Sequence, residues 1–393
     1  MSEFRDLFSG ERNAFWLGDS WLGASNEVIT YRCAGRQLTI NRGGETEVRT
    51  QSIFDYLDES LRSNRAGGYV GYFGYELRAE LGSPVKHASP YPDAMLMRVG
   101  EARRSGHVAA ARSRASRHTS PKPLLSREEY LDRVRQCQEW IREGQAYQLC
   151  LTNRIDLETD LPALDYFEIL RCLNPAPHAA YLRFGDLEIA CSSPECFLRI
   201  TSDGCMESRP IKGTLPRGET PEEDERLRET LASHRRFRAE NLMIADLIRN
   251  DLGRVARPAS VTVPRLMEVE SYATVHQLVT TVAARLRPEA TAIDCLRARF
   301  PGGSMTGAPK LRAMELLDEI EPAARGIYSG CIGYLGGDGS ADLNIVIRTA
   351  VFQNGQVSIG TGGAILAQSD PDEEWRETQL KAAVLLRAFG IPA

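Results

Sequence analysis

The sequence predicts an α+β fold, and two observations carry that prediction. Strand-like and helix-like segments come in runs, not in the strict alternation that a doubly wound parallel sheet requires. Tight turn signals, Asn41-Arg42-Gly43-Gly44 early and Asn354-Gly355 late, sit beside strand patterns as antiparallel hairpins would place them. The 393 residues suffice for one large domain or two medium ones with a substantial core, and no internal repeat is visible.

Residues 1–100 mix short apolar runs such as Leu38-Thr39-Ile40 with turns, and read as strands and hairpins more than helices. Residues 101–123 are rich in Arg, Ser and Ala without a continuous apolar stripe, which fits a solvated linker or surface excursion better than a basic arm gripping a partner. From residue 124 onward the signals sharpen. Ser126-Arg127-Glu128-Glu129 is a capping box, followed by Tyr130, Val134, Cys137 and Ile141 at helical spacing until Gly144 ends the helix. Tyr147 to Leu157 reads as a strand. Thr220 with Pro221 opens another helix, and longer helices are expected over Arg235–Leu252 and Pro309–Ile320. Two or three strands follow between Tyr328 and Ile359, and Asp370-Pro371-Asp372-Glu373 begins the last helix.

Composition excludes several classes. A hydrophobic fraction of 42% and a charged fraction of 26% are ordinary for a globular chain. A net charge of -5 offers no overall field for nucleic acid or an anionic membrane. No apolar run approaches the roughly 20 residues of a membrane-spanning helix. The start MSEFRDLFSGERN carries charges where a signal peptide would need an apolar stretch, so none is expected. Nine scattered cysteines without a CxxC read as reduced thiols, so a cytoplasmic protein is expected.

Four segments hold residues that core-building does not explain. In Ser208–Gly218, two prolines and two glycines pin a loop around Lys212, between Arg209 and Arg217. Positive neighbours lower a lysine pKa and so favour a nucleophile, although a surface lysine in a rigid turn is the plainer alternative. On the next helix Glu240, Ile244, Leu247 and Asp251 share a face, so Glu240 needs an arginine, a cation or a proton as partner. Pro301–Lys310 is a glycine-rich loop entering a helix, suited to a carboxylate or small phosphate but lacking P-loop spacing. Thr361-Gly362-Gly363-Ala364 precedes a helix on which Glu374, Glu377 and Lys381 form one stripe, with Arg348 just upstream as a bidentate carboxylate partner. Each has a structural alternative; together they describe an enzyme for a small, multiply anionic substrate, with Mg2+ as the fitting cation.

At these residues the sequence resembles the chorismate-utilising enzymes, the family of anthranilate, aminodeoxychorismate, isochorismate and salicylate synthases. The resemblance is strong from about Ser126 to the C-terminus and weaker before it, where Gly67–Glu76 still looks like the family's N-terminal region. Within the family, Pro210-Ile211-Lys212-Gly213-Thr214 is similar to the loop of aminodeoxychorismate synthase component I, where anthranilate synthases usually carry alanine at the lysine position. Gln148 stands where the water-using members carry a lysine base, so hydration of the ring is disfavoured.

The resemblance implies two stacked antiparallel sheets flanked by helices, with the site in a cleft between the halves. It implies amination of chorismate at C4 by ammonia. In that scheme Glu240 and Glu377, with Glu374 nearby, hold Mg2+ on the ring carboxylate. Arg348 and Tyr328 hold the enolpyruvyl carboxylate, helped by backbone donors near Gly362 and Gly363. Glu195 protonates the departing hydroxyl, and Lys212 attacks C2 to give a covalent adduct that ammonia displaces. His276 matches the family's active-site histidine, while Ser304 and Lys310 are carried over as substrate-loop residues. No glutaminase arrangement is visible, so a separate glutamine amidotransferase subunit is expected to supply ammonia, and a lyase making 4-aminobenzoate, for folate or a secondary metabolite, to use the product. Phe15–Ser20 resembles a tryptophan-binding segment of some relatives. Two positions depart from the family pattern: Cys150 replaces an asparagine and Ala364 a glycine. The competing expectations are anthranilate synthase component I and a catalytically inert scaffold.

Overall fold

The computed structural model describes residues 3–19, 21–63, 65–100, 116–272 and 275–392, and the backbone of 103–104. Two antiparallel sheets with flanking helices make up the fold, as the α+β reading requires. The first sheet runs Gly307–Ala308, Gln148–Glu158, Gln356–Ile365, Thr349–Gln353, Leu187–Ser193, His178–Phe184, Asn13–Leu17, Trp21–Ala24 and Arg103–Arg104. The second runs Ile211–Pro216, Val275–Arg285, Cys205–Arg209, Cys196–Ile200, Ala341–Ile345, Cys331–Gly336, Gly68–Phe73, Ala94–Val99, Glu27–Arg32, Gln37–Arg42 and Glu45–Thr50. Residues 1–100 therefore feed strands into both sheets. Asn13–Leu17 pairs with His178–Phe184, and Gly68–Phe73 pairs with Cys331–Gly336.

Apolar residues of both sheets meet face to face, Phe15, Leu182, Ile189 and Val351 from one against Val28, Val70, Tyr72 and Ile332 from the other. Helices Ala163–Leu173 and Pro371–Arg387 cover the outer face of the first sheet. Ile53–Ser63, Arg235–Gly253 and Ala292–Arg299 cover the second. Helices Arg127–Arg142 and Lys310–Ile320 pack on Gln148–Glu158 at the end of the first sheet.

Local signals hold where they were strongest. Ser126 and Glu129 exchange both bonds of the capping box, Thr220 and Asp370 cap their helices with proline following, and Asn354 and Gly355 take the positive φ values of a tight hairpin turn. The helix Ile53–Ser63 falls in the part read mainly as strands. Most of the predicted linker, 105–115, lies outside the described residues. Its C-terminal part is held on the first sheet, with Lys122–Pro123 pairing Ile155 and Asp156, so residues 116–123 are not a free tether. The nine cysteines are free thiols, and among the described residues no helix is long and apolar enough to cross a membrane.

Candidate active site

Two chain crossings between the sheets bring the polar groups together. Leu187–Ser193 in the first sheet passes through Pro194 and Glu195 into Cys196–Ile200 in the second. Ala341–Ile345 returns from the second sheet through Arg348 into Thr349–Gln353. The crossings are bonded to each other, the Ser192 N–H donating to the Arg348 carbonyl at 3.0 Å and the Ile345 N–H to the Glu195 carbonyl at 3.1 Å. Arg348 takes φ 52°, a left-handed conformation that a non-glycine residue adopts only where its surroundings enforce it.

Glu195 is 6% exposed and accepts a hydrogen bond from the Ser304 hydroxyl at 3.0 Å. Burial pushes its carboxyl up to about 7, against the pull of Lys212, Ser304, Arg299 and Lys381. The Lys212 charge acts on Glu195, Glu377 and Cys150, so all three lie within its electrostatic reach. A bulge does the aiming: Ile211 pairs with Val279 but Thr214 with Gln277, so Lys212 and Gly213 occupy one residue more than the partner strand supplies. Gly213 makes this turn at φ 90°, against the Phe237 ring. Lys212 itself is half-buried and forms no ion pair or hydrogen bond among the described residues. The cationic turn expected around it is neutralised: Arg209 pairs with Glu270, and Arg217 with both oxygens of Asp224 at 2.7 Å.

His276 is fully buried, with Nδ1 on the Ser271 hydroxyl at 2.7 Å and Nε2 on Asp224 at 2.9 Å. Its ring ties strand Val275–Arg285 to strand Thr262–Ser271 and to helix Pro221–Ser233, and among the described residues it hydrogen-bonds none of the other predicted site groups. Lys310 is likewise spoken for, donating to Asp251 at 2.6 Å and to the Arg299 carbonyl at 2.8 Å. Gln148 is fully buried and neither side-chain amide atom has a hydrogen-bond partner. Tyr328 lies flat against Gly360, where any Cβ would enter its ring, and near Arg348. Arg348 donates to the Lys381 carbonyl at 2.7 Å. Lys381 in turn donates to the Gly362 carbonyl at 2.7 Å and pairs with Glu377 at 2.6 Å.

The three predicted metal ligands do not gather as three. Among the described residues no group of three or more His, Cys, Asp or Glu side chains is placed to hold an ion. Glu240 and Glu374 meet on Arg236, whose Nε donates to Glu240 Oε1 at 2.9 Å and Nη2 to Glu374 Oε1 at 2.6 Å. Glu377 turns to Lys381 instead. Burial alone would raise its carboxyl, but Lys381, Arg236 and Lys212 hold it below the usual range. Glu374, 1% exposed, is raised by burial and by Glu377. Its Oε2 is buried with no hydrogen bond and lies against Gly363. Ser369 is near enough to favour its charged form but not placed to bond it. Two buried carboxylates and one unsatisfied oxygen fit a hard cation that keeps water and substrate oxygens as its other ligands.

Sequence reasoning missed Arg236, which lies four residues before Glu240 on the same helix, the spacing at which ion pairs form. The two departures from the family pattern prove to be neighbours, since Cys150 and Ala364 stand directly opposite across strands Gln148–Glu158 and Gln356–Ile365. In the tryptophan-like segment, Trp16 is buried against Phe4 and Phe167 with the Arg171 guanidinium 4.4 Å from its ring, and Arg171 pairs with Asp19; Ser20 lies outside the described residues.

A crossing-mounted acid, a lysine on a bulge and paired buried glutamates are groups that a catalytic site could use. The chain belongs to the chorismate binding enzyme family, whose model matches residues 17–387. It is 40% identical, over 98% of its length, to an aminodeoxychorismate synthase of Streptomyces pristinaespiralis, and 42% identical, over 89%, to one of Streptomyces griseus. It spans 63% and 55% of those proteins. An anthranilate synthase component 1 of Aquifex aeolicus is 42% identical across 68% of the chain and 54% of that protein. The crystal structure of anthranilate synthase component I from Streptococcus pneumoniae shares the fold, with a TM-score of 0.79 at 26% identity over 95% of this chain and 92% of that one.

Proposed function

We propose that this chain aminates chorismate at C4 with ammonia, releasing water and giving 4-amino-4-deoxychorismate. The observation that carries this reading is Lys212 on its bulge, without an ion pair or hydrogen bond among the described residues and within electrostatic reach of the buried Glu195. Glu195 holds the proton it must donate, and Lys212 attacks as the neutral amine after its own proton has passed to solvent. Lys212 Nζ then bonds to C2 as the ring double bonds shift and the C4–O bond breaks, Glu195 protonating the departing hydroxyl. Ammonia bonds to C4, the double bonds shift back, and the C2–N bond to Lys212 breaks.

Arg348 and Tyr328 are assigned to the enolpyruvyl carboxylate, and Gln148 and Ser304 to polar groups of the ring. Glu240 and Glu374, with Glu377 beside them, would hold Mg2+, which when bound neutralises the ring carboxylate. A glutamine amidotransferase chain is the proposed source of ammonia. His276 is assigned to positioning the strand beside Lys212 and Lys310 to fixing the glycine-rich loop, on the strength of the bonds each already makes.

Incubation of the purified protein with chorismate, MgCl2 and ammonium chloride, followed by mass analysis, tests the reading. The expected product is non-aromatic and retains the enolpyruvyl ether. Anthranilate as the product would overturn the assignment to C4.

A further inference from the structure

Two carboxylates on different helices, Glu240 on Arg235–Gly253 and Glu374 on Pro371–Arg387, are 6% and 1% exposed and among the described residues both pair with the Arg236 guanidinium. Removing two negative charges from water without a partner is strongly unfavourable, so a cation or a proton must offset them, and in this structure the offset is a cation. Arg236 uses only Oε1 of each glutamate, at 2.9 and 2.6 Å, and leaves Glu374 Oε2 buried and unbonded. Its side chain is 26% exposed, so it has solvent to withdraw into. A divalent cation on the same two oxygens would bring like charge within a few ångströms of the guanidinium, and both cannot stay.

We propose that Arg236 is an internal counter-ion, a latch that holds Glu240 and Glu374 in the metal-free protein and must swing out when a divalent cation binds. The inference rests on the reading of Glu240 and Glu374 as magnesium ligands. It adds that metal affinity is set by competition with a residue of the chain itself: the latched state dominates without metal, and every ion bound must first displace it.

The test uses the full chain as wild type, Arg236→Gln and Arg236→Lys, without substrate. Free Mn2+ is followed by electron paramagnetic resonance during titration, and thermal melting is recorded with and without Mg2+. Loss of two charge-assisted bonds should make Arg236→Gln bind Mn2+ about tenfold tighter. Arg236→Lys, which keeps the charge but not the fork, should fall between it and wild type. Metal-free Arg236→Gln should melt lower than wild type and gain more from Mg2+. Unchanged or weaker Mn2+ binding in Arg236→Gln, with wild type binding normally, would remove the latch and leave the metal reading standing. No Mn2+ bound by either protein would remove both. If Arg236→Gln does not fold, Arg236→Lys decides, and an affinity equal to that of wild type overturns the proposal.

Discussion

At the scale of single residues, the proposed chemistry depends on Glu195 holding a proton while Lys212 acts as an amine. Burial raises Glu195 to about 7 from an ordinary value of 4.5, so below that pH it carries the proton a general acid needs. As pH rises through about 7 the proton is lost, and kcat/KM should fall with a midpoint there. Glu195→Gln should abolish that limb and lower kcat by about 10²- to 10⁴-fold, as read from pH–rate profiles with ammonium in excess. Stability shares the sign. The folded state holds the proton more tightly than the unfolded state, so this contribution is whole below pH 4.5 and lost as pH rises through 7. The melting temperature should drop over that window, and less steeply in Glu195→Gln. Glu76 adds a second term of the same direction, since it too is raised to about 7 by burial. Lys212→Ala should abolish C4 amination without unfolding the protein, because its half-buried side chain bonds nothing; undiminished product by mass analysis would take the lysine out of the mechanism.

At the scale of elements, the bulge at Lys212 and Gly213 is the device that turns an ordinary edge strand into part of a site. Gly213→Ala places a Cβ 2.8 Å from the Phe237 ring and 3.0 Å from Leu231, at φ 90° where alanine is strained. We expect a loss of about 1–3 kcal/mol from the strain, read by urea melts, and a fall in amination greater than that loss explains, because the bulge re-aims the lysine. The elements themselves were largely legible where capping and turn chemistry is local: Ser126, Thr220, Asp370 and Asn354-Gly355 each act within a few residues of chain. The helix Ile53–Ser63 was not, because its amphipathic face, Ile53, Phe54, Tyr56 and Leu57, is short and lies among strands. In the site, Lys212 stood out because two prolines and two glycines framed it, and Glu240 because a carboxylate interrupted an apolar face. What those groups touch was hidden. Arg209 and Arg217 looked like neighbours of the lysine in sequence, yet Glu270 on a strand 61 residues beyond Arg209 and Asp224 on the helix just after the loop claim them. The split of the glutamates between Arg236 and Lys381 likewise depends on how two helices separated by more than a hundred residues come together.

At the scale of the molecule, the site exists because two sheets are locked at a joint, and Arg325 is the centre of that joint. Its guanidinium, 2% exposed on its side chain, pairs with both oxygens of Glu321 at 2.7 and 2.8 Å. It also donates to the Cys150 carbonyl at 2.9 Å, in a central strand of the first sheet, and to the Met305 carbonyl at 2.6 Å, beside Ser304. Its own backbone N–H donates to Glu76, which follows the second-sheet strand Gly68–Phe73. Glu321 completes the joint by accepting from the Thr152 N–H and hydroxyl. Arg325→Met leaves Glu321 charged and uncompensated in the interior, a loss of about 3–5 kcal/mol. A double variant, Arg325→Met with Glu321→Leu, removes the stranded charge and should recover part of that loss, as measured by denaturant melts of both proteins. Activity should not recover with it. Cys150 and Met305 sit two residues from Gln148 and one from Ser304, so losing their shared donor loosens the substrate face even in a chain that stays folded. A double variant restored in stability but still weak in turnover would separate the two contributions, whereas full activity in either variant would mean that the joint supports the fold alone.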